Sequence, residues 1–200
     1  MAADELAHLS TERIWIETEK ALDERHHEIF WQVLADCGAL AVLMPELAES
    51  QGIAALTRAA AYTTRSDCRW AALLADLPEM RAREASERLK APKAHTLLSA
   101  RVRGWRAKLK TALRDAEECM ALFKGLDALR RDEPFNGFCE TLMALEQNSA
   151  DAGSAIALLR SAKQAAKGVI AADFAALNID GPALGAAIEA SQIERIAAVL

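Results

Sequence analysis

The sequence predicts an all-α protein, and three observations support that fold class. Of its 200 residues, 52% are hydrophobic but only 5% are aromatic, and alanine and leucine dominate. The chain has only five prolines and nine glycines. Apolar residues recur at helical spacing in nearly every segment, whereas strand-like alternation is absent. We therefore expect an irregular multi-helix array that buries a sizeable core.

The first helix is predicted to begin after Ser10, a residue that can cap a helix N-terminus. Its apolar stripe is formed by Ile14, Thr18, Ala21 and Leu22. Ile16 instead falls on the charged side of the helix. Isolated exposed isoleucines are common, but such a residue can also mark a contact with a partner chain. Ile16 is therefore a candidate interface residue.

A second helix is predicted to start near Glu28 and to pack against the first. Gly38 can adopt the left-handed conformation that ends a helix, and Pro45 blocks helix continuation soon afterwards. The apolar residues that lead to this turn are Ile29, Phe30, Val33, Leu34 and Cys37.

The remaining chain is predicted to form further helices that are separated by short turns. They span 53–64, 67–77, 78–90, 94–113, 115–131, 135–147 and 154–177, and a last one begins at Pro182. Gly104 is the only interruption of the long helix over 94–113. The widely spaced cysteines predict reduced thiols in the core, namely Cys37, Cys68, Cys119 and Cys139.

Two segments, LSTERIWIETEKAL and EIFWQVLADCGALAVLMPEL, carry a distinctive pattern in the stretch that ends at Leu47. It resembles the start of the helical body of bacterial class II CCA-adding tRNA nucleotidyltransferases. The matching residues, in order, are Glu12, Arg13, Trp15, Glu17, Gln32, Asp36, Cys37, Gly38 and Pro45. The resemblance weakens through the middle and returns over 166–200, which looks like the family's terminal helical segment. It implies a body-like region over 1–90 and a tail-like region over 91–200, with one continuous domain as the alternative.

The resemblance implies tRNA binding but no catalytic residue in this chain. In the family, metal-binding carboxylates for nucleotidyl transfer lie in an N-terminal head with a G-S-x-x-D-x-D-like sequence, which has no counterpart here. Arg130, Arg131, Asp132 and Asn136 reproduce the R-R-D-x-x-x-N spacing of that head. We interpret them as a solvated helix end instead, because Pro134 interrupts the motif. The catalytic head would belong to another chain, and Ile16 is a candidate contact with it.

The metal phosphohydrolase site found in many of these enzymes is also expected to be lost. Where the family reads C-H-D-L-G, this chain reads Leu74-Ala75-Asp76-Leu77-Pro78, so that Asp76 lacks its histidine. The remaining histidines are expected to be surface or capping residues: His8, His26, His27 and His95. No metal and no other cofactor is predicted.

The strongest positive signal for RNA binding is a row of cations on the predicted long helix, Arg103, Arg106, Lys110 and Arg114. Spacings of three or four residues place them on one helix face, where like charges repel unless an anion lies opposite. RNA phosphate is one candidate. The alternative is a solvated face that Glu117 and Glu118 neutralise.

A second candidate contact with RNA is the helix start around Gly181 and Gly185, where exposed N–H groups could bind a phosphate. These glycines could equally serve only the turn, which is predicted over 178–181, and close helix packing.

The net charge of −5 argues against non-specific polyanion binding by the whole surface. No signal peptide or membrane-spanning run is recognised, so we expect a cytoplasmic protein with neither DNA nor a membrane as partner. The function predicted is a non-catalytic tRNA-binding module that acts in CCA addition or repair with a separate head. The alternative is a degenerate helical scaffold that binds only a protein.

Overall fold

The computed structural model describes residues 10–48, 50–147, 149, 151–177 and 179–200, apart from the Leu177 side chain. Every regular element in these ranges is a helix, which confirms the predicted all-α fold. The α-helices are α1 (Thr11–Asp23), α2 (His27–Asp36), α3 (Ala39–Leu43), α4 (Gly52–Tyr62), α5 (Ser66–Leu73), α6 (Glu79–Arg88), α7 (Lys93–Arg106), α8 (Leu109–Ala112), α9 (Ala116–Gly125), α10 (Asp132–Leu145), α11 (Ala152–Lys167) and α12 (Gly181–Ala197). Two 3-10 helices span Pro45–Leu47 and Ala171–Leu177.

The chain forms two compact units. The first unit contains residues 1–104 and 140–147, and the second contains 105–139 and 148–200. These units differ from the predicted regions 1–90 and 91–200. The first part of α7 stays in the first unit because His95 and Arg103 bond to Ser66 and to the Leu77 carbonyl, respectively.

The start of the first unit confirms the prediction for α1. The N–H of Arg13 donates to Ser10 Oγ at 3.4 Å, so Ser10 is the N-cap. Thr18, Ala21 and Leu22 are buried, as predicted. Ile16 is 48% exposed, which confirms that it lies outside the core.

The apolar residues of α2 lie differently from the prediction. Ile29 and Val33 are 60% and 56% exposed, and Cys37 is also exposed, so they are not part of the core. The buried side of α2 is formed by His27 and Trp31 instead. These two bulky rings follow the 3.6-residue repeat and fill the space against α1 and α4, which turns Ile29 and Val33 outward. Gly38 adopts the predicted left-handed conformation, with φ +75°.

Aromatic rings occupy the centre of the first unit. The rings of Trp15 and Trp70 meet edge to face with centroids 5.1 Å apart, and the His95 ring lies 5.1 Å from Trp15. Trp31, Leu56 and Leu73 complete this buried cluster. Edge-to-face contacts of this kind are more favourable than face-to-face stacking.

A buried arginine joins the ends of two helices in the first unit. The Arg69 guanidinium donates to the carbonyls of Leu22 and Glu24 at the end of α1 and to those of Ala60 and Thr63 at the end of α4. Carbonyl groups at helix C-termini lack partners within their own helix and carry partial negative charge. Arg69 therefore satisfies acceptors that would otherwise be buried unpaired.

Two predicted helices have different bounds in the structure. The long helix predicted over 94–113 ends at Arg106, and a turn at Lys108 separates it from α8. Just before the break, the Trp105 ring lies against Gly125, where a Cβ atom would be 2.6 Å from the indole nitrogen. Pro134 does not precede α10 but lies in its first turn, where a missing N–H costs nothing.

The second unit is held by α9, α10, α11 and α12. Phe123 and Phe135 pack edge to face in its interior. The Lys163 ammonium lies 4.2 Å from the Phe135 ring centroid and donates to Asp132 at 2.8 Å. Lys167 donates to the same carboxylate, and the two lysines lower the pKa of Asp132 to about 2.

The cysteine prediction is confirmed for three residues and wrong for one. Cys68, Cys119 and Cys139 are buried reduced thiols, and burial raises their pKa values. Cys37 is exposed because α2 turns its other side to the core. Across the described ranges, no helix is both long and apolar enough to cross a bilayer.

Candidate nucleic-acid interface

The four predicted RNA-binding cations do not lie on one helix. Arg103 and Arg106 belong to α7, Lys110 to α8, and Arg114 follows α8 in a turn. Arg103 is in the first unit and the other three are in the second. The prediction of a single continuous helix face is therefore wrong, because the chain turns after Arg106.

The cations also differ in exposure. Arg103 is half-buried, its Nε donates to the Leu77 carbonyl at 2.9 Å, and burial lowers its pKa. Arg106 is half-buried as well. Lys110 and Arg114 are exposed. The two exposed cations are thus better placed to bind a phosphate than the two arginines of α7.

One further cation of this segment was missed by sequence reasoning. Lys108 is exposed, and its ammonium lies 5.3 Å from the centroid of the Trp105 ring. Its position between Arg106 and Lys110 could have suggested it, but the helical spacing placed it off the predicted face. Lys108, Lys110 and Arg114 together form the basic segment of the second unit.

The carboxylates expected to neutralise this segment are used differently. Asp115 caps α9 and accepts from the N–H groups of Glu117 and Glu118 at 2.9 and 3.0 Å. Both glutamates are exposed in the first turn of α9, where acidic side chains are favoured by the helix dipole. Among the described residues, no ion pair joins either of them to Lys110 or Arg114.

The second predicted contact lies at the start of α12. Gly181 has φ +50°, a conformation that favours glycine, and it precedes Pro182 in the first turn. A Cβ atom at Gly181 or Gly185 would meet no described atom within 4 Å. Close packing within the chain therefore does not account for Gly185. Asn178, at the start of the predicted turn, lies outside the described residues.

The residues of the expected phosphohydrolase site do not come together. Asp76 is exposed and lines a cavity of about 600 Å³ with Glu46, Ser50, Gln51 and Arg81. The buried Glu46 carboxylate is paired with Arg88 at 2.6 Å. No group of three or more His, Cys, Asp or Glu side chains in the described ranges is arranged to bind a metal ion.

Two histidines that were predicted to be surface residues are buried. His27 is 2% exposed and packs against the core, and burial lowers its pKa. His95 Nε2 lies 3.1 Å from Ser66 Oγ and 3.5 Å from Glu19, and burial lowers its pKa too. Neutral imidazole rings tolerate such a position, whereas charged ones do not. His26 is exposed as predicted, and His8 lies outside the described residues.

The Arg130–Asn136 motif forms structural contacts. Arg131 pairs with Asp127 at 2.6 Å, and Asp132 is held by Lys163 and Lys167. The motif was interpreted as a solvated helix end that Pro134 interrupts. It lies instead at the exposed start of α10, and Pro134 does not interrupt that helix.

Comparison with known protein families shows which class of protein the start of the chain resembles. Residues 1–51 match the family model described as "Probable RNA and SrmB- binding site of polymerase A". This segment contains α1, α2 and α3. No solved structure matches the chain.

The curated relatives are CCA-adding enzymes. The chain is 34% identical over 199 residues to the CCA-adding enzyme of Pseudomonas putida strain W619 and 34% identical over 200 residues to the multifunctional CCA protein of strain KT2440. It is 33% identical over 237 residues to the multifunctional CCA protein of Alcanivorax borkumensis. These alignments cover 96–98% of this chain but only 54–57% of the relatives. The chain is therefore related, over nearly its whole length, to about half of a CCA-adding enzyme.

Proposed function

We propose that this chain is a non-catalytic tRNA-binding module that acts in CCA addition or repair together with a separate catalytic head. The observation that carries the proposal is the similarity of 98% of the chain to about half of the length of CCA-adding enzymes. The family match over residues 1–51, whose description names an RNA-binding site, also supports it. We place its action in the cytoplasm and regard the phosphohydrolase site around Asp76 as degenerate.

The basic segment of the second unit would bind the tRNA backbone. A-form RNA offers shape and phosphates rather than readable base edges, so a cluster of exposed cations suits it. Lys108, Lys110 and Arg114 supply that cluster within seven consecutive residues. Arg106, in the same unit, would contribute from α7, and Arg103 of the first unit stays a separate proposed contact. Both are half-buried, so replacing them would also disturb the fold.

Replacement of Lys108, Lys110 and Arg114 by Glu tests this interface. We expect weaker tRNA binding and a flatter salt dependence, with the log–log slope smaller by roughly 0.7 to 0.9 for each lost phosphate contact. Filter binding of a tRNA at several salt concentrations measures both effects.

A charge-matched control distinguishes the effect of the basic segment on tRNA binding from the effect of the protein's net charge. Replacing Lys20, Arg83 and Arg131 by Glu changes the net charge equally at three other exposed cations, each of which belongs to an ion pair. The control variant should show the same log–log slope of tRNA affinity against salt concentration as the unaltered protein. If both triple variants lose affinity to the same extent, the basic segment is not the interface.

The start of α12 is a second part of the proposed RNA interface. Gly185→Ala introduces a methyl group into open space and should stabilise the helix slightly. If an RNA backbone approaches Gly181 and Gly185 closely, Gly185→Ala will weaken tRNA binding while the thermal midpoint stays level or rises. Unchanged affinity would remove Gly185 from the interface.

The separate head is the proposed protein partner, and Ile16 is its proposed contact. Ile16→Lys should change the free energy of unfolding by no more than about 0.5 kcal/mol, because the residue is exposed. Affinity purification from the native cell, with bound RNA and proteins identified, should recover tRNA and a nucleotidyltransferase head. Loss of the head but not of tRNA from the Ile16→Lys sample would support the contact, and equal recovery would exclude it.

A second function is supported by the surface of residues 11–48. This stretch has eight carboxylates but only three Lys or Arg residues, and Ile16, Ile29, Val33 and Val42 are exposed. An acidic surface with exposed apolar side chains suits a protein better than an RNA backbone. A scaffold that binds only a protein would lack tRNA binding in the filter assay but retain a stable protein partner.

A further inference from the structure

One of the four tryptophans differs from the others in its surroundings. Trp15, Trp31 and Trp70 are buried in the first unit, whereas Trp105 is half-buried at the start of the second unit. It stands directly before Arg106 and three residues before Lys108. The Trp105 ring therefore lies at the surface, next to the basic segment of the second unit.

The Trp105 ring is held in place by the end of α9. A Cβ atom at Gly125 would lie 2.6, 2.8 and 2.9 Å from the ring atoms Nε1, Cζ2 and Cε2, so any larger residue would push the ring away. Gly125 has no positive φ and is the last residue of the helix, so the backbone itself does not require a glycine there. The glycine therefore serves the position of the ring. A ring that is already fixed loses little freedom when a ligand binds to it.

One face of the Trp105 ring borders on an exposed side chain. The Lys108 ammonium lies over the ring, 5.3 Å from its centroid, and Lys108 is exposed. A contact between an exposed ammonium and an aromatic ring is weak, and a lysine side chain is flexible. Stacking of a nucleobase on an aromatic ring is stronger than such a contact. A base can therefore replace the ammonium over the ring.

The charges around the ring suit an RNA strand. Residues 105–114 contain four Lys or Arg residues and no Asp or Glu. The three carboxylates of 115–118 lie at the other end of α9, roughly 10 to 15 Å from Gly125 along the helix. Two carboxylates near the Gly125 end are each paired with a cation, namely Glu189 with Lys124 and Asp127 with Arg131. Phosphates beside the ring would thus meet mainly cations.

We propose that Trp105 is a stacking platform for an unpaired nucleobase of RNA, which takes the place of the Lys108 ammonium over the ring. Lys108 and Lys110 then bind neighbouring phosphates of the same strand. Every base has an aromatic face, so the platform selects unpaired nucleotides rather than a particular sequence. The inference rests on the proposed function for the presence of RNA at the basic segment. It adds that this segment binds unpaired nucleotides as well as the phosphates of a duplex.

A double-mutant cycle tests for stacking. The two probes are a short single-stranded RNA and the same ribose-phosphate strand without bases. Trp105→Leu should lower the affinity of the full chain for the strand with bases by about 5- to 150-fold and leave its affinity for the abasic strand unchanged. Trp105→Phe should retain part of the affinity, because it keeps an aromatic ring. Equal losses for the two strands, or no loss for either, would overturn the proposal.

Control variants separate stacking from changes in the fold. Gly125→Ala should cause the same selective loss, because its Cβ atom displaces the ring, and unchanged affinity would contradict a fixed platform. Gly153→Ala is the matched glycine control, since its Cβ atom would meet no described atom within 4 Å. Tyr62→Leu removes an exposed aromatic ring of the first unit and should leave binding unchanged. Circular dichroism melts would verify that all variants fold.

A blunt RNA duplex and a tRNA distinguish failure of this inference from failure of the proposed function. Duplex binding and its salt slope depend on phosphate contacts, so Trp105→Leu should leave both unchanged. If Trp105→Leu binds the single strand normally, while replacement of Lys108, Lys110 and Arg114 by Glu weakens tRNA binding, only the inference fails. If the base-dependent binding of the single strand requires Trp105 but tRNA does not bind, only the proposed function fails. A chain that binds neither RNA would overturn both.

Discussion

At the scale of single residues, two glycines of the first unit differ in what a side chain would meet. A Cβ atom at Gly52 would lie 2.4 Å from the Leu73 carbonyl oxygen, whereas one at Gly104 would meet nothing within 4 Å. Gly52 thus permits the close approach of α4 and α5. Gly104 lies in α7 with no such role.

We expect Gly52→Ala to lower the free energy of unfolding by about 1 to 3 kcal/mol, because backbone must move to admit the methyl group. Gly104→Ala should raise it by about 0.5 to 1 kcal/mol, since alanine loses less entropy than glycine in a helix. Urea unfolding of the two variants measures both changes. Equal effects of the two substitutions would contradict this account of α4 and α5.

The buried His95 predicts how stability depends on pH. Burial lowers its pKa from 6.5 in the folded state, although Glu19 and Asp67 oppose the shift. The unfolded chain therefore binds a proton at a pH where the folded chain does not, and folding loses stability as the pH falls below about 6.5. His27 acts in the same direction.

Urea unfolding at pH 7.5, 6.5 and 5.5 should accordingly show a declining free energy of unfolding. His95→Gln should reduce this decline, whatever its effect on absolute stability, because one of the two titrating rings is gone. His26→Gln is the matched control, since His26 is exposed. If the free energy of unfolding declines as steeply in His95→Gln as in the unaltered protein, the pKa of His95 does not differ between the folded and unfolded states.

At the scale of helices, Arg69 of α5 is bonded to the ends of both α1 and α4. Arg69→Met should lower the free energy of unfolding by about 3 to 5 kcal/mol, because it leaves several buried carbonyls without a donor. Arg83→Met, at an exposed pair on α6, should cost less than about 1 kcal/mol. Thermal melts compare the two variants. A similar loss in both would show that the Arg69 bonds contribute little.

Most helices could be predicted from spacing and capping residues, and the exceptions have physical reasons. The cap at Ser10 and the left-handed conformation of Gly38 depend only on residues next to them in the chain, so both could be predicted from the sequence. The outward turn of Ile29 could not be predicted, because hydropathy ranks it with Trp31 and only packing against neighbouring helices decides which one is buried. The close contact between the Trp105 ring and Gly125 could not be predicted either, because the two residues lie far apart in the chain.

The candidate site was predicted less completely than the fold. Charge and spacing identified Lys110 and Arg114, which are exposed. They could not reveal that Arg103 is engaged with the Leu77 carbonyl, since that contact depends on tertiary structure. Nor could they reveal that Lys108 lies over the Trp105 ring, since that contact accompanies the turn after Arg106.

At the scale of the whole molecule, we expect the isolated chain neither to add C or A to a tRNA end nor to hydrolyse phosphodiesters. The reason is that no group of three or more His, Cys, Asp or Glu side chains in the described ranges is arranged to bind a metal ion, and the head motif is absent from the sequence. Incorporation of labelled nucleotide into tRNA and release of nitrophenol from bis-nitrophenyl phosphate measure the two activities. Metal-dependent turnover that Asp76→Ala abolishes would contradict the prediction.

The division of α10 between the two units has a consequence for the order of folding during synthesis. Residues 140–147 belong to the first unit, where Glu140 accepts a bond from Thr63 and Gln147 donates to the Arg58 carbonyl at 2.8 Å. The ribosome must therefore release Gln147 before the first unit can acquire all of its contacts, although most of that unit ends at Gly104. A nascent chain stalled shortly after Gly104 should remain sensitive to protease, and one that extends beyond Gln147 should become resistant over its first hundred residues.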